Sequence, residues 1–407
     1  MILKNSKFMY LWTSQVLSQI TVHMMNFLLL TRLFTVTGSS IATSLLWIAY
    51  SLPAIFVGPL GAASVDLVSK RKILMLTNLF QALTVFAYIF THESSLFILY
   101  FIVFIYSLLN QFYLPAESSS LPSVVPKDDL PQANSLFLMT QQAAFLLGFG
   151  IAGVAQRFLG FNGSLIACSL FLFISFISVS FLPAMRPRKK VPDNLEKLVV
   201  TFFKTIYEGY VFIKSKKTIL LPLMLLLGMQ VALIMIAVNL PVIAEQILKI
   251  SIVYSGVAII VPAGFGAFIG AVIVTRLLKN GFRKKTIVEF GAVCLGLSLI
   301  ILLFLPRIIT PIFLFLGGLG FVSVNIPTLT FLQEYTPENF RGRVLGNIWF
   351  FQTILTIIPV LFSGFITEVF GVRVLLFIIA MASIFIFYYS RNHGQALIED
   401  NFNNGNS

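Results

Sequence analysis

Long apolar runs alternate with short polar segments along almost the whole chain. A helix of about 20 apolar residues crosses roughly 30 Å of hydrocarbon, and we predict a spanning helix in each of twelve such runs. The first six runs are Phe8–Thr31, Thr43–Val65, Ile73–Phe90, Leu96–Ala116, Gln132–Gln156 and Phe158–Met185. The second six runs are Thr218–Ala244, Ile250–Thr275, Thr286–Leu305, Ile308–Gln333, Val344–Thr367 and Val374–Ser390.

The second half of the chain repeats the first at low similarity. Gly61 aligns with Gly270 at an offset of 209 residues, and other Gly, Pro and Phe positions align at the same or nearly the same offset. Because six spans return the chain to its starting side, both halves have the same orientation. We therefore predict an all-α membrane protein of two parallel six-helix repeats, residues 1–185 and 218–407, joined by a polar linker over 186–217.

The composition agrees with a membrane protein. Hydrophobic residues make up 58% of the 407 and charged residues 11%. A soluble domain has roughly 25% charged residues, so this chain cannot cover itself with a solvated surface. The first run is too long for a cleavable signal peptide. Cys168 and Cys294 both lie in apolar runs, which argues against a disulfide framework.

The net charge of +13 predicts the orientation of the chain rather than a nucleic-acid partner. Basic residues concentrate in cytoplasmic loops, and most of the 28 Lys and Arg residues fall on the side of the N-terminus. We therefore expect both termini inside, in the cytoplasmic (cell) membrane. The basic residues on the other side are Arg32, Arg157, Lys249, Arg307 and Arg373.

The linker over 186–217 begins with the basic, proline-broken stretch RPRKKVPDN. Apolar residues then recur at helical spacing with charges opposite them, which predicts an interfacial amphipathic helix. A target sequence for a calmodulin-like partner is the alternative for this segment.

Polar side chains within the spans mark candidates for a substrate cavity, because such groups are costly unless they face a neighbouring helix or water. Gln15, Gln19, His23 and Asn26 share one face of the first helix. The remaining candidates are Tyr106, Asn110, Tyr113, Gln230, Asn239, Asn325 and Gln352. Amides also hold membrane helices together, so both interpretations stay open. His23 is a candidate proton carrier or a packing residue.

The predicted cavity has no fixed charge at mid-depth, and its amides, tyrosines and phenylalanines favour an amphipathic substrate. The sequence contains no Walker A motif and no spaced metal-ligand cluster. We therefore expect no metal, no cofactor and no enzymatic activity.

The stretch GPLGAASVDLVSKRK, from Gly58 to Lys72, resembles the signature loop between helices 2 and 3 of the major facilitator superfamily. The resemblance implies the major facilitator fold and transport by alternating access. It also implies that Asp66, Lys70 and Arg71 form a conformational switch that holds the cytoplasmic ends of the two halves together. The match is imperfect, since this loop usually has other residues at three positions, which are Ala62, Leu67 and Ser69 here.

PAESSSLPSVVPKDDLPQANSL, from Pro115, and QEYTPENFRGRVLG, from Gln333, are similar to efflux permeases that include enterobactin exporters and proton-coupled multidrug exporters. The similarity implies export of a drug-like compound or siderophore by proton antiport. The acid that this subgroup often has in the first helix is absent. The candidate coupling residues lie at cytoplasmic ends of predicted helices and are Asp66, Glu117 and Glu334.

Two other functions remain as alternatives. Uptake or facilitated transport of a metabolite or lipid-derived solute is favoured by the missing first-helix acid. A non-transporting membrane sensor or scaffold is an alternative of a different class. For a transporter we expect a small-molecule substrate, protons as the coupling ion, a lipid bilayer around the chain and a monomeric state.

Overall fold

The structure, a computed structural model, describes residues 2–185, 217–304, 309–336 and 338–393, with six single residues between 200 and 211. Within these ranges, side chains are described except at 63, 66, 217–221, 338–350, 390, 392 and 393. Every regular element in this part of the chain is a helix. The predicted linker over 186–217 lies largely outside the described residues.

The helices follow the apolar runs closely. Those of the first half are α1 (Ser6–Thr37), α2 (Ser40–Phe56), α3 (Gly58–Leu67), α4 (Lys70–Thr91), α5 (Leu96–Val124) and α6 (Leu130–Ser180). Those of the second half are α7 (Lys217–Val238), α8 (Val261–Lys279), α9 (Lys284–Leu302), α10 (Thr310–Tyr335), α11 (Glu338–Phe370) and α12 (Val372–His393). Short helical turns between α7 and α8 are Leu240–Val242, Ile243–Leu248, Ile252–Tyr254 and Gly256–Ile260.

Nine helices in the described part are long and apolar enough to cross a bilayer. The number is ten if Pro222–Val238 and Leu240–Leu248, bent by 58°, form one span. The helix α2 is shorter, with 17 residues. The 51 residues of α6 contain two predicted runs, and Gly160 interrupts them with φ 71° and ψ −180°. Glycine adopts this left-handed φ at little cost.

The ends of α1 are fixed by local hydrogen bonds. Asn5 Oδ1 accepts from the backbone N–H groups of Lys7 and Phe8, at 3.1 and 3.3 Å. Its Nδ2 donates to the Val124 carbonyl oxygen at 2.8 Å, which ties the start of α1 to the end of α5. Gly38 ends α1 in the left-handed conformation, with φ 62°.

The chain forms two compact units. The first comprises Met1–Gly38 and Leu45–Phe202, and the second comprises Ser39–Ser44 and Phe203–Ser407. The first turn of α2 therefore belongs to the second unit by its contacts, while the rest of α2 belongs to the first.

The helix pairings of the first unit recur in the second. In the first unit, α5 packs on α3, α4 and α1, and α6 packs on α1 and α4. In the second unit, α10 packs on α8, α9 and α7, while α11 packs on α7 and α12 packs on α9. The correspondence is complete when the two parts of α6 are matched with α11 and α12.

Glycines that align in the sequence repeat also make equivalent contacts. A Cβ added at Gly61 would overlap the carbonyl oxygen of Gln111 in α5. A Cβ added at Gly270 would come within 3.1 Å of the Leu319 Cα in α10. Each glycine thus permits a close approach between two helices of its own unit, as small residues do in membrane bundles.

Gly318→Ala is predicted to destabilise the second unit. The new methyl group would overlap the carbonyl oxygen of Ala263 in α8, and overpacking of this kind costs about 1–3 kcal/mol. We expect a lower melting temperature of the purified protein in detergent. Gly228→Ala in α7 is the control, because its Cβ would meet no atom within 4 Å. Equal melting temperatures for the two variants would show that α8 and α10 leave room for a methyl group at Gly318.

Candidate functional site

The predicted polar face of α1 packs against three other helices of the first unit. Gln15 and Gln19 are buried, and His23 and Asn26 are partly buried. Gln15 Nε2 donates to the Phe137 carbonyl oxygen in α6 at 3.1 Å. Gln19 faces α5, His23 contacts α6 and Asn26 faces α2. The polar face therefore connects α1 to these three helices.

A buried hydrogen-bonded cluster joins α1, α4 and α5. Asn78 Nδ2 donates to Ser14 Oγ at 3.1 Å, and Ser14 Oγ lies 3.4 Å from the Tyr113 hydroxyl. The Tyr113 hydroxyl and the Gln19 side chain of α1 also face the Glu117 carboxyl group. All five of these side chains are 5% exposed or less. The cluster therefore connects an ionisable group to three helices away from solvent.

The burial of Glu117 was not predicted from the sequence. The apolar run ends at Ala116, and Glu117 at a membrane edge stays a prediction. The helix α5 continues through Pro115 and Pro122 to Val124, so Glu117 lies about 10 Å along the axis from the helix end. Glu117 is 5% exposed, and its Oε1 has no hydrogen-bond partner among the described residues.

A second group of polar side chains lies further along α1. Asn110 Nδ2 donates to the Tyr50 hydroxyl at 3.4 Å, and Asn26 also faces Tyr50. Gln81 Nε2 donates to the carbonyl oxygen of Tyr106 at 3.3 Å. Among the described residues, buried polar atoms without a partner in this group are Asn110 Oδ1, Gln81 Oε1 and the Tyr106 hydroxyl. These atoms could bind polar groups of a ligand or water.

His23 has aromatic neighbours. Its ring lies 5.3 Å from Phe145 and 6.2 Å from Phe149, measured between centroids, and both phenylalanines belong to α6. Gly148 lies between them, and a Cβ there would meet His23 Cβ. This environment favours the packing interpretation of His23 over the proton-carrier interpretation.

The predicted cavity residues of the second unit have fewer polar partners. Asn239 is fully buried and ends the straight part of α7. Its Nδ2 donates to the Met235 carbonyl oxygen at 2.8 Å and to Ser363 Oγ in α11 at 3.1 Å. Gln230, Asn325 and Gln352 are partly buried, and Asn325 Nδ2 has no partner among the described residues.

Lys70 and Arg71 contact helix ends within their own unit. Lys70 Nζ donates to the Ser119 carbonyl oxygen in α5 at 2.6 Å. An Arg71 guanidinium nitrogen donates to the Ser180 carbonyl oxygen at the end of α6. The side chain of Asp66 lies outside the described residues. The role of these three residues in joining the two halves stays a prediction.

Glu334, the third coupling candidate, is on the surface of the second unit. Its carboxylate lies 2.7 Å from Lys284 Nζ, and its side chain is 48% exposed. The salt bridge connects the start of α9 to the end of α10. A half-exposed, paired carboxylate contributes little stability, and nothing around it resembles the cluster at Glu117.

Several site residues were not predicted from the sequence. Asn78 and Gln81 lie three residues apart in α4 and are fully buried, so an amide pair in an apolar run was the available signal. Glu368 had no such signal. It accepts hydrogen bonds from Ser39 Oγ at 2.6 Å and from the Ile41 N–H at 3.0 Å, and so caps the first turn of α2.

Comparison with known sequences identifies a family and several relatives. A sequence profile of the Major Facilitator Superfamily matches residues 11–358. The MFS-type transporter YfiS of Bacillus subtilis is 26% identical, over 83% of this chain and 81% of YfiS. Macrolide efflux protein A of Streptococcus pyogenes is 22% identical, over 90% of this chain and 91% of that protein.

Solved structures show the same fold at low sequence identity. A peptide transporter POT in complex with sulfate has a TM-score of 0.76 and 13% identity, over 97% of this chain and 96% of that one. The nucleoside transporter NupG has a TM-score of 0.70 and 12% identity, over 93% and 97%. Similarity at this level of identity establishes the fold of the chain and not a substrate.

Asn239→Ala is predicted to destabilise the second unit. The change removes both hydrogen bonds of the side chain and leaves buried groups of Met235 and Ser363 short of a partner, at a cost of about 1–3 kcal/mol. We expect a lower melting temperature in detergent. The exposed Asn280→Ala is the control and should have little effect. If Asn239→Ala melts like the control, the amide does not hold α7 to α11.

Proposed function

This chain belongs to the Major Facilitator Superfamily of membrane transporters, and we propose that it exports an amphipathic small molecule in exchange for protons. The proposal combines three parts, which are the arrangement of the chain in the membrane, the direction of transport and the coupling to protons. Each part has its own support.

For the arrangement in the membrane, we propose twelve spans with both termini in the cytoplasm of the cell and a monomer as the working unit. The broken helix α6 then counts as two spans, and α2 with α3 counts as one. The excess of Lys and Arg on the side of the N-terminus supports this orientation. The repeated helix pairings support two six-span halves of equal orientation.

For the direction of transport, the similarity to macrolide efflux protein A supports export, since it extends over 90% of this chain. The side chains of the first unit support an amphipathic substrate. Amides and tyrosines with unpaired polar atoms lie between apolar and aromatic side chains there. A few polar groups in a mostly apolar surface are typical of sites for drug-sized ligands.

The observation on which proton coupling depends is the burial of Glu117. A carboxylate in the membrane needs a counter-ion, water or a proton, and no salt bridge to Glu117 occurs among the described residues. When deprotonated, Glu117 can only accept hydrogen bonds, and Tyr113 and Gln19 face it as donors. When protonated, it gains an O–H that can donate while its other oxygen can still accept, so protonation changes which hydrogen bonds the cluster between α1 and α5 can form.

This change gives a route from protonation to transport. Proton binding to Glu117 alters the contacts between α1, α4 and α5, which also carry the polar atoms of Asn110 and Tyr106. Substrate and proton would then favour different states of the first unit. If each exchange moves one charge inward, it gains about 2.3 kcal/mol per 100 mV of membrane potential.

Transport assays with inside-out vesicles test the direction and the substrate class. We expect an acidic vesicle interior to drive accumulation of a radiolabelled macrolide or a fluorescent lipophilic cation, and a protonophore to abolish it. Vesicles without the protein are the control. Accumulation only in right-side-out vesicles would show uptake instead. If proteoliposomes carry no flux with these substrates, siderophores or metabolites, the sensor or scaffold alternative gains support.

Glu117→Gln is predicted to uncouple transport. The amide cannot exchange a proton, so gradient-driven accumulation should fall by about tenfold or more, while downhill flux of the substrate persists. Asp128→Asn, an exposed acid after α5, is the control and should be coupled normally. Proton-driven accumulation at the normal level by Glu117→Gln would exclude Glu117 as the coupling group.

His23→Phe is predicted to keep its coupling. The phenylalanine ring can replace the imidazole between Phe145 and Phe149, whose contacts with His23 are apolar. Proton-driven accumulation should remain within about twofold of the unmodified protein. If His23→Phe is expressed at the normal level but no longer accumulates substrate, the proton-carrier interpretation of His23 would be supported.

A further inference from the structure

Two helices of the first unit, α1 and α4, bring polar side chains together around one phenylalanine ring of a third helix, α6. The guanidinium carbon of Arg32 in α1 lies 5.4 Å from the centroid of Phe161 in α6. The rings of His92 and Tyr88, from α4 and its end, lie 5.2 and 6.3 Å from the same ring. We call these four residues the Arg32 cluster.

The Arg32 cluster contains polar atoms without hydrogen-bond partners. Tyr88 is fully buried, and its hydroxyl has no hydrogen-bond partner among the described residues. His92 Nδ1 is also buried without a partner there. A guanidinium has five N–H donors and no acceptor, and a tyrosine hydroxyl and an imidazole N–H can donate as well. A ligand that completes the cluster would therefore carry an oxygen that accepts several hydrogen bonds.

Arg32 differs from the other partly buried basic residues of the described chain. Lys284 pairs with Glu334, while Lys70 and Arg71 donate to backbone carbonyl oxygens. In the described part, Arg32 lies over the Phe161 ring and forms no salt bridge. Glu93 follows His92 in the chain but is exposed and forms no salt bridge in the described part.

The cluster lies where a headgroup would reach it. Arg32 is five residues before the end of α1, about 8 Å along the helix axis, and His92 directly follows α4. Arg32, His92 and Phe161 are partly exposed, while Tyr88 closes the cluster from within. An arginine placed over an aromatic ring can still direct its N–H groups at an anion.

We propose that the Arg32 cluster binds a phosphate oxyanion. Arg32 supplies the charge and a bidentate contact, His92 and Tyr88 supply further donors, and Phe161 holds the guanidinium in place. A phospholipid headgroup and free inorganic phosphate share this chemistry. The site does not depend on the transport function proposed above, since it requires only the geometry of the first unit.

The test is binding to the full purified chain in a non-ionic detergent. Native mass spectrometry would count bound molecules during titrations with a short-chain phosphatidylglycerol, and with an uncharged diacyl glycolipid as the control without phosphate. We expect Arg32→Gln to weaken phosphatidylglycerol binding by about fivefold or more and to leave glycolipid binding unchanged. Arg391→Gln is the matched control, because Arg391 also lies over a ring, that of Phe387, at 6.0 Å, but is exposed.

A second variant tests the site independently, in case Arg32→Gln does not fold. Tyr88→Phe keeps the ring and removes only the hydroxyl, and we expect it to weaken binding by about twofold to fivefold. Competition by millimolar inorganic phosphate would identify a soluble anion as the ligand, and its failure would identify the lipid headgroup. Equal phosphatidylglycerol affinity in the unmodified protein, Arg32→Gln and Tyr88→Phe, with no phosphate competition, would overturn the proposal.

Discussion

The polar face of α1 depends on shielding by other helices, because hydrocarbon offers no hydrogen bonds to glutamine, histidine or asparagine side chains. The arrangement of the first unit follows from this requirement. The helices α5 and α6 cover the face, and their own polar groups, such as Tyr113 and the Phe137 carbonyl oxygen, meet it. The second unit repeats the helix pairings, and its described part buries fewer hydrogen-bonded amides. The two units thus share a framework and differ in the chemistry that it encloses.

Buried polar atoms without hydrogen-bond partners lower the stability of the first unit. Each buried polar atom without a partner costs roughly 1–3 kcal/mol, and such atoms here belong to Glu117, Asn110, Gln81 and Tyr106. A ligand or water that satisfies them recovers part of this free energy. The same atoms that weaken the isolated unit can therefore favour binding, and protonation gives Glu117 a donor that the carboxylate lacks.

Much of the fold follows from sequence patterns, because apolar length and glycine spacing are local properties. The repeat predicted equivalent positions for Gly61 and Gly270, and both glycines occupy equivalent helix contacts. The burial of Glu117 could not be found in this way. Hydropathy ends a span at the first charged residue, whereas α5 continues through Pro115 because a proline can bend a helix without ending it. The neighbours of His23, likewise, depend on the packing of α6 and not on the local sequence.

The character of α1 also has a consequence for how the protein is made. Among the described candidate spans, α1 is the least apolar and has the largest buried share. It emerges from the ribosome before the α5 and α6 segments that cover its polar face have been synthesised. Lipid alone would retain it weakly during that interval. We therefore expect α1 to depend on the insertion machinery until its later partners have been synthesised.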